Sequence, residues 1–296
     1  MNNAENISGI KDIINNYDTY ILDQWGVMHD GDQGYSNAIS CVKKLYELKK
    51  KKLIIISNSS KRKNSSISKL PKLGYNKDYF YATMTSGEMI WQSLIKSNYD
   101  FTNKSLKNCF HIYDESKEDG EEYREGLEKF NFVKKIEDSD FILGCTPFAN
   151  SKITDYIPFL SVAIKNKLPF VCANPDFETV VNNSKELVFC MGTVAELYKN
   201  MGGEVYVLGK PNIEIYIEAT KKISNLNIDK SRILAIGDSL FHDIAGANTF
   251  GVDSLLITSG VHYDCFDPKE PKWQLDKNKL QNFGIKPTFI CSNFQY

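Results

Sequence analysis

The sequence contains few of the features that mark specialised classes of protein. Its seven cysteines are scattered singly over 296 residues, without a Cys-x-x-Cys pair. Their odd number and wide spacing argue against a disulfide framework and against a structural zinc site. We therefore expect reduced, mostly buried thiols, as in a cytoplasmic protein. The formal net charge of −1 provides no overall field that would attract nucleic acid or an acidic membrane.

Long apolar runs are missing as well. No run approaches the roughly 20 residues that a helix needs to cross a bilayer. The polar segment 1–18 contains no apolar core of a secretion signal. These absences predict a cytoplasmic protein with neither a membrane nor a nucleic-acid partner. The length of the chain is sufficient for one large domain or for two domains with separate cores.

Short runs rich in β-branched and aromatic residues alternate with helical patterns along the chain, which is typical of parallel βαβ units. The runs predict strands at 20–22, 53–57, 110–113, 141–143, 170–173, 205–208, 233–236, 254–257 and 288–291. The first predicted helix has Ser36 as its N-cap and an apolar face made of Ile39, Val42, Leu45 and Leu48. Another helix is marked by Ile213, Ile217, Thr220 and Ile223. The pattern predicts an α/β fold with a doubly wound parallel sheet.

Residues 102–204 differ in composition and pattern from the segments on either side. Acidic residues are concentrated at 114–128, and the strands of this segment are not followed by reactive residues. We therefore predict a core domain formed by residues 1–101 and 205–296, interrupted by an inserted second domain at residues 102–204. A cleft between two domains is a common place for a small-molecule site.

Reactive side chains follow four of the predicted strands. They are Asp23, Ser57 with Asn58, Lys210, and Asp238 with Asp243. At one edge of a parallel sheet they would supply a carboxylate nucleophile, hydroxyl and amide donors, a cation and two more carboxylates. Phosphoryl transfer needs such a set, because it depends on positioning and charge neutralisation. Taken singly, each residue is more simply a turn or helix-cap residue, so the prediction depends on their order and spacing.

One expected group is missing from this set. A carboxylate two residues after Asp23 would be a natural general acid and base, but Trp25 stands there instead. Asp30 or His29 could take over this task, and Trp25 could cover the site or stack on a substrate ring. The sequence does not place any of them relative to a leaving group.

These motifs resemble the four signatures of the haloacid dehalogenase superfamily, specifically its class IIA branch of NagD-like proteins and p-nitrophenyl phosphatases. The signatures read Asp23-Gln24-Trp25-Gly26-Val27, Ile56-Ser57-Asn58-Ser59-Ser60, Gly209-Lys210-Pro211 and Ile236-Gly237-Asp238-Ser239, with Asp243 after the last. The run Asn174-Pro175-Asp176 resembles a motif of the cap domain in this branch. The resemblance spans about residues 17–262, and the Asp-x-Trp-Gly-Val form is similar to an uncharacterised subgroup.

The resemblance implies a Rossmann-like core with an inserted class II α/β cap, and the activity of a Mg²⁺-dependent phosphatase of small phosphorylated metabolites. It implies that Asp23 forms an aspartyl-phosphate and that Lys210 neutralises charge, while Ser57 and Asn58 hold phosphate oxygens. It assigns Mg²⁺ to Asp23, Asp238 and the backbone carbonyl of Trp25, with Asp243 either as a further ligand or as the residue that holds a metal-bound water. Related caps often mediate dimers, which suggests a homodimer.

Trp25 departs from the family pattern, in which an Asp at this position protonates the leaving group and then activates water. The departure keeps a second function open, that of a catalytically impaired protein that binds a phosphorylated ligand or a partner. A third function is chemistry at a carbon centre, as in the dehalogenases, although a metal site argues against metal-free dehalogenation.

Overall fold

The computed structural model describes residues 4–48, 50–97, 106–117, 119–180, 187–224, 229–263 and 284–296. The strands are β1 (Glu5–Asn6), β2 (Thr19–Leu22), β3 (Lys52–Ser57), β4 (Ala82–Thr85), β5 (Asn108–Ile112), β6 (Asn131–Val133), β7 (Phe141–Gly144), β8 (Phe170–Cys172), β9 (Glu178–Val180), β10 (Leu187–Phe189), β11 (Val205–Val207), β12 (Ile233–Gly237), β13 (Asp253–Ile257) and β14 (Phe289–Cys291). The helices are α1 (Ser36–Glu47), α2 (Lys63–Lys69), α3 (Ser86–Lys96), α4 (Asp119–Glu122), α5 (Ile157–Lys165), α6 (Met191–Asn200), α7 (Ile213–Ser224) and α8 (Ala245–Phe250). A π-helical turn, Leu240–Ile244, leads into α8.

Within the described residues, the larger sheet is parallel throughout and has the order β1-β14-β13-β12-β2-β3-β4. The carboxyl ends of its strands therefore share one edge, which is where α/β folds bind ligands. Asp23 follows β2 and Asp238 follows β12. Because β2 and β12 are paired neighbours, the two carboxylates lie side by side at this edge.

Alternate residues of the central strands pack on opposite faces of the larger sheet, as a pleated strand requires. Tyr20 and Leu22 pack on the side of α1, whereas Ile21 packs on the side of α7 and α8. Both faces are buried, so the strands are uninterrupted apolar runs rather than alternating ones. This arrangement confirms the predicted doubly wound α/β fold.

The segment between β4 and β12 contains a second parallel sheet with the order β11-β8-β7-β5-β6. Its edge strand β11 pairs with β8, whereas we assigned residues 205–208 to the core, so the inserted sheet extends past residue 204. A three-residue apolar strand does not reveal which sheet it joins, since both sheets are parallel and buried. The division of the chain into a core and a cap domain remains a prediction.

Five strands of the described residues, β1, β4, β6, β9 and β10, were not predicted from the sequence. Each of the nine predicted strands lies on a strand of the structure, with ends that differ by at most two residues. Ser36 is the first residue of α1 rather than its N-cap; Tyr35 occupies the N-cap position and makes no side-chain capping bond. Six cysteines are described, and all six are buried free thiols, as expected; Cys265 lies outside the described residues. In the described part of the chain, no helix is long and apolar enough to cross a membrane.

Candidate active site

A cavity of about 240 Å³ opens where the carboxyl edge of the larger sheet meets the inserted segment. Asp23, Lys210, Asp238 and Asp243 are among the residues that line it. Residues 176–179, which lie between β8 and the middle of β9, contribute the lining from the inserted segment. The structure therefore brings the predicted nucleophile, cation and two further carboxylates together in one cavity.

Lys210 is held between two of these carboxylates. Its ammonium donates hydrogen bonds to Asp23 Oδ1 at 2.6 Å and to Asp243 Oδ1 at 2.7 Å. Burial alone would lower the pKa of Lys210, but the two carboxylates raise it, so the side chain remains charged. The lysine arrives from the residues after β11, and thus from the smaller sheet rather than from the core sheet that the sequence suggested.

Backbone amides fix the carboxylates of Asp238 and Asp243. The Val261 amide donates to Asp238 Oδ2 at 2.8 Å, and the Ser239 amide donates to Asp243 Oδ2 at 3.1 Å. One oxygen from each of Asp23, Asp238 and Asp243 lies within 4.8 Å of the others, and all three residues are buried. Such a cluster of hard oxygen donors is what Mg²⁺ and Ca²⁺ require.

The pKa values of Asp23 and Asp238 reflect burial and the negative charge of their neighbours. Burial is the largest influence and raises the pKa of Asp23; Lys210 opposes this shift, and the Asp243 and Asp238 carboxylates reinforce it. Burial, reinforced by Asp243, raises the pKa of Asp238 to about 7. A single ammonium does not balance three carboxylates, so a divalent cation fits the charge that the protein leaves uncompensated.

Two glycines bring the backbone against these carboxylates. Gly26 has a φ of +73°, and a Cβ there would lie 1.9 Å from Asp238 Oδ2. A Cβ on Gly237 would lie 2.0 Å from the carboxyl carbon of Asp243. Both positions are therefore restricted to glycine by the packing of the acidic residues.

Ser57 and Asn58 lie at the end of β3, but neither is among the described residues that line the cavity. Asn58 instead holds the main chain of Lys210: its Oδ1 accepts from the Lys210 amide at 2.7 Å, and its Nδ2 donates to the Lys210 carbonyl at 3.1 Å. The Ser57 hydroxyl accepts from the Ser59 amide at 3.3 Å. Asn58 thus orients Lys210, and the contacts of Ser57 and Asn58 with phosphate oxygens remain predictions.

Asp176 is a residue of the site that sequence reasoning did not assign to it. Its Oδ1 accepts a hydrogen bond from Asn58 Nδ2 at 2.8 Å and lies 3.3 Å from His242 Nδ1. The Asn-Pro-Asp motif after β8 is the sequence signal for this residue. Its contact with the core depends on how the two sheets face each other, which the motif does not show. Asp176 therefore links the inserted segment to the residue that orients Lys210.

Trp25 lines the cavity, and its ring packs against the loop that follows β2. The ring lies edge-on to His29 with centroids 5.2 Å apart, and a Cβ on Gly31 would lie 2.3 Å from it.

Burial lowers the pKa of His29 to about 4, so this imidazole is neutral at pH 7. Asp30 accepts hydrogen bonds from two amides of its own loop at 2.9 and 3.0 Å. Neither His29 nor Asp30 lines the cavity, so neither takes the place of the missing acid in this arrangement.

A buried carboxylate, an ion-paired lysine and two further carboxylates at the edge of a parallel sheet make up the candidate active site of a hydrolase whose fold is of the α/β class. Comparison with known families identifies which one. A family model described as haloacid dehalogenase-like hydrolase matches residues 20–116, and one of HAD-hydrolase-like proteins matches residues 207–295. The chain belongs to the haloacid dehalogenase-like hydrolases.

Individual relatives are similar over nearly the whole chain. The 5′-nucleotidase YutF of Bacillus subtilis is 23% identical over 246 residues, which cover 83% of this chain and 88% of that protein. A haloacid dehalogenase-like hydrolase from Brucella suis is 25% identical with a TM-score of 0.80, covering 97% of this chain and 99% of that one. A possible sugar phosphatase from Cytophaga hutchinsonii is 19% identical with a TM-score of 0.74, covering 98% of each chain.

Proposed function

We propose that this protein is a Mg²⁺-dependent phosphatase of a small phosphorylated metabolite and works through an aspartyl-phosphate on Asp23. The observation that carries the proposal is the Lys210 ammonium held between Asp23 and Asp243 in a cavity that Asp238 also lines. A phosphate monoester carries negative charge, so its reaction with a carboxylate requires a fixed cation beside the nucleophile. The relatives named as a 5′-nucleotidase and a possible sugar phosphatase support phosphate monoesters as substrates.

Asp23 is the nucleophile of the proposed reaction. One of its oxygens forms a bond to phosphorus while the bond from phosphorus to the leaving oxygen breaks. The leaving group takes the electron pair of that bond and, where it requires one, a proton from solvent water. Water then attacks the aspartyl-phosphate, which releases inorganic phosphate and restores the Asp23 carboxylate. Lys210 favours the ionised form of Asp23 and neutralises charge on the phosphate.

Mg²⁺ would be held by Asp23, Asp238 and Asp243, together with the backbone carbonyl of Trp25. When bound, the ion stabilises negative charge on the phosphate oxygens. The support for this part of the proposal is the close grouping of the three buried carboxylates and the preference of Mg²⁺ for oxygen ligands.

A metal titration tests this site without depending on turnover. We expect Mg²⁺ to bind the wild-type protein in isothermal titration, and Asp238→Ala to weaken binding at least about tenfold, because a carboxylate is lost. The matched control is Asp32→Asn, which changes an exposed carboxylate that does not line the cavity, and which should leave the affinity unchanged. Equal affinity in the wild type and Asp238→Ala would remove Asp238 from the metal site.

The proposed activity is tested by phosphate release from a panel of sugar phosphates, nucleoside monophosphates, aryl phosphates and acyl phosphates. We expect turnover of at least one compound that depends on Mg²⁺ and stops with EDTA. A folded protein that binds phosphate esters but releases phosphate from none of them would contradict the proposal.

The connection from Asp176 through Asn58 to Lys210 should appear in double-mutant kinetics. Asp176→Ala and Asn58→Ala each loosen the main chain that carries the Lys210 ammonium, so we expect each to lower kcat about tenfold. In the Asn58→Ala background, Asp176→Ala should have little further effect, because residues that act through one another are not additive. Losses that simply multiply would show that Asp176 acts independently of Asn58.

A further inference from the structure

Two exposed phenylalanines stand at the cavity, and the proposed mechanism uses neither. Phe177 follows the Asn-Pro-Asp motif of the inserted segment, and Phe241 belongs to the π-helical turn that also contains Asp243. Both line the cavity with Trp25, and they are 43% and 40% exposed. Two large apolar side chains from different parts of the chain are thus left partly open to solvent at the same cavity.

Each phenylalanine is held by a neighbouring imidazole. Phe177 is tilted against His242 with ring centroids 5.5 Å apart, and Phe241 is edge-on to His262 with centroids 6.0 Å apart. The rings are therefore oriented but not covered. Partly exposed aromatic surface inside a concave site is typical of ligand contact, and flat rings bind such surfaces by offset stacking or edge-to-face packing.

The charge around the cavity restricts the ligand further. Asp176 and Glu178 also line it, in addition to the three carboxylates of the cluster. The Lys210 ammonium is already shared by Asp23 and Asp243. A second anionic group on the leaving group would meet like charges without a free cation from Lys210, so the part of the substrate beyond the phosphate should carry no negative charge.

Trp25 favours the same class of substrate for an independent reason. An aryl oxygen leaves with little protonation, whereas an alkyl oxygen needs a proton from an acid. The position where such an acid is expected is occupied by Trp25, which lines the cavity and supplies no acid.

We propose that Phe177 and Phe241 determine the specificity of this site for phosphate esters whose leaving group is a planar aromatic ring without negative charge. The inference rests on the proposed phosphatase function for its biological meaning. The contacts on which it depends form on binding, before any bond is broken, so they are tested separately from turnover.

Isothermal titration with phenylphosphonate and methylphosphonate, each with Mg²⁺ present, tests the role of the two rings. The two probes share the phosphonate group and differ in the aromatic ring. We expect the wild type to bind phenylphosphonate at least about tenfold more tightly. Phe177→Leu and Phe241→Leu should each lose most of that preference while binding methylphosphonate as before, because leucine keeps an apolar side chain but has no ring.

Tyr81→Leu is the matched control, since Tyr81 is a 41% exposed aromatic residue that does not line the cavity; it should keep the full preference. Equal binding of the two phosphonates to the wild type, or an unchanged preference in both phenylalanine variants, would overturn the inference. If the substrate panel gave no phosphate release, the phosphatase function would fail, and the phosphonate preference would still decide the role of Phe177 and Phe241.

Discussion

Asp23→Asn should abolish phosphate release, with a fall in kcat of at least about 10⁴-fold. Asparagine has nearly the same shape as aspartate, and its Oδ1 can still accept the hydrogen bond that Lys210 donates at 2.6 Å. The neutral amide is not a nucleophile, however, so no covalent bond to phosphorus forms. We expect the substitution to lower kcat and to leave substrate binding largely unchanged.

The fold should survive this substitution. Burial and acidic neighbours raise the pKa of Asp23, so the ionised form is less favoured in the folded than in the unfolded protein. Such a shift removes stability as the pH rises above the pKa of the unfolded state. Asparagine does not ionise and avoids this loss at neutral pH, and Asp243 still pairs with the buried Lys210 ammonium. We therefore expect the variant to fold and to show a cooperative melting transition in EDTA.

Intact-mass measurement after an acid quench is the direct check on the nucleophile. A phosphorylated protein should accumulate with the wild type and not with Asp23→Asn. Asp32→Asn, a change of an exposed loop carboxylate, is the control and should keep full activity. Retained turnover in a folded Asp23→Asn protein would rule out the aspartyl-phosphate mechanism.

Because Trp25 supplies no acid, kcat/KM should depend steeply on the pKa of the leaving group. Neither His29 nor Asp30 lines the cavity, so neither protonates a leaving oxygen there without a change of position. General acid catalysis contributes about 10²–10⁴-fold where it is needed. We therefore expect kcat/KM for alkyl phosphates to lie lower than for aryl phosphates by a factor in this range.

Trp25→Asp should raise alkyl-phosphate turnover by about 10²-fold and change aryl-phosphate turnover much less. The matched control is Trp25→Asn, which removes the same indole from its contacts with His29 and Gly31 but supplies no acid. Truncating a buried aromatic residue to alanine costs about 3–5 kcal/mol of stability. Trp25 is only partly buried, so its replacement should cost less than this. Equal alkyl-phosphate turnover in the two variants would contradict the role assigned to the missing acid. Fast alkyl-phosphate hydrolysis by the wild type would show that another residue supplies the proton.

The core strands could be predicted because both faces of the larger sheet are buried, which leaves long apolar runs at β2, β3 and β12. β4 could not be recognised in this way, because it is short and half of its residues are threonines. Helix α7 was located, but its buried face is formed by Ile215, Tyr216, Ala219 and Ile223. Ile217, one of the residues that marked this helix in the sequence, is 44% exposed. A search for regularly spaced isoleucines misses Tyr216 and Ala219, whose side chains pack against the sheet.

The grouping of Asp23, Asp238 and Asp243 could be predicted because each lies at or shortly after the end of a core strand, and parallel pairing brings such ends together. The bonds of Asn58 to Lys210 and Asp176 could not, since they cross between segments that belong to different sheets. Their geometry depends on how the inserted segment sits on the core, and no local spacing carries that information.

The central position of β12 has a consequence for the synthesis of the chain. On the ribosome, β2, β3 and β4 emerge well before β12, so the edge of β2 that will pair with β12 stays open while the inserted segment is made. Open edges of this kind invite pairing with other strands. The inserted sheet, in contrast, is built from strands that emerge consecutively, β5 to β8 and then β11. A nascent chain that ends between residues 211 and 232 therefore carries Asp23 and Lys210, but it lacks both Asp238 and Asp243.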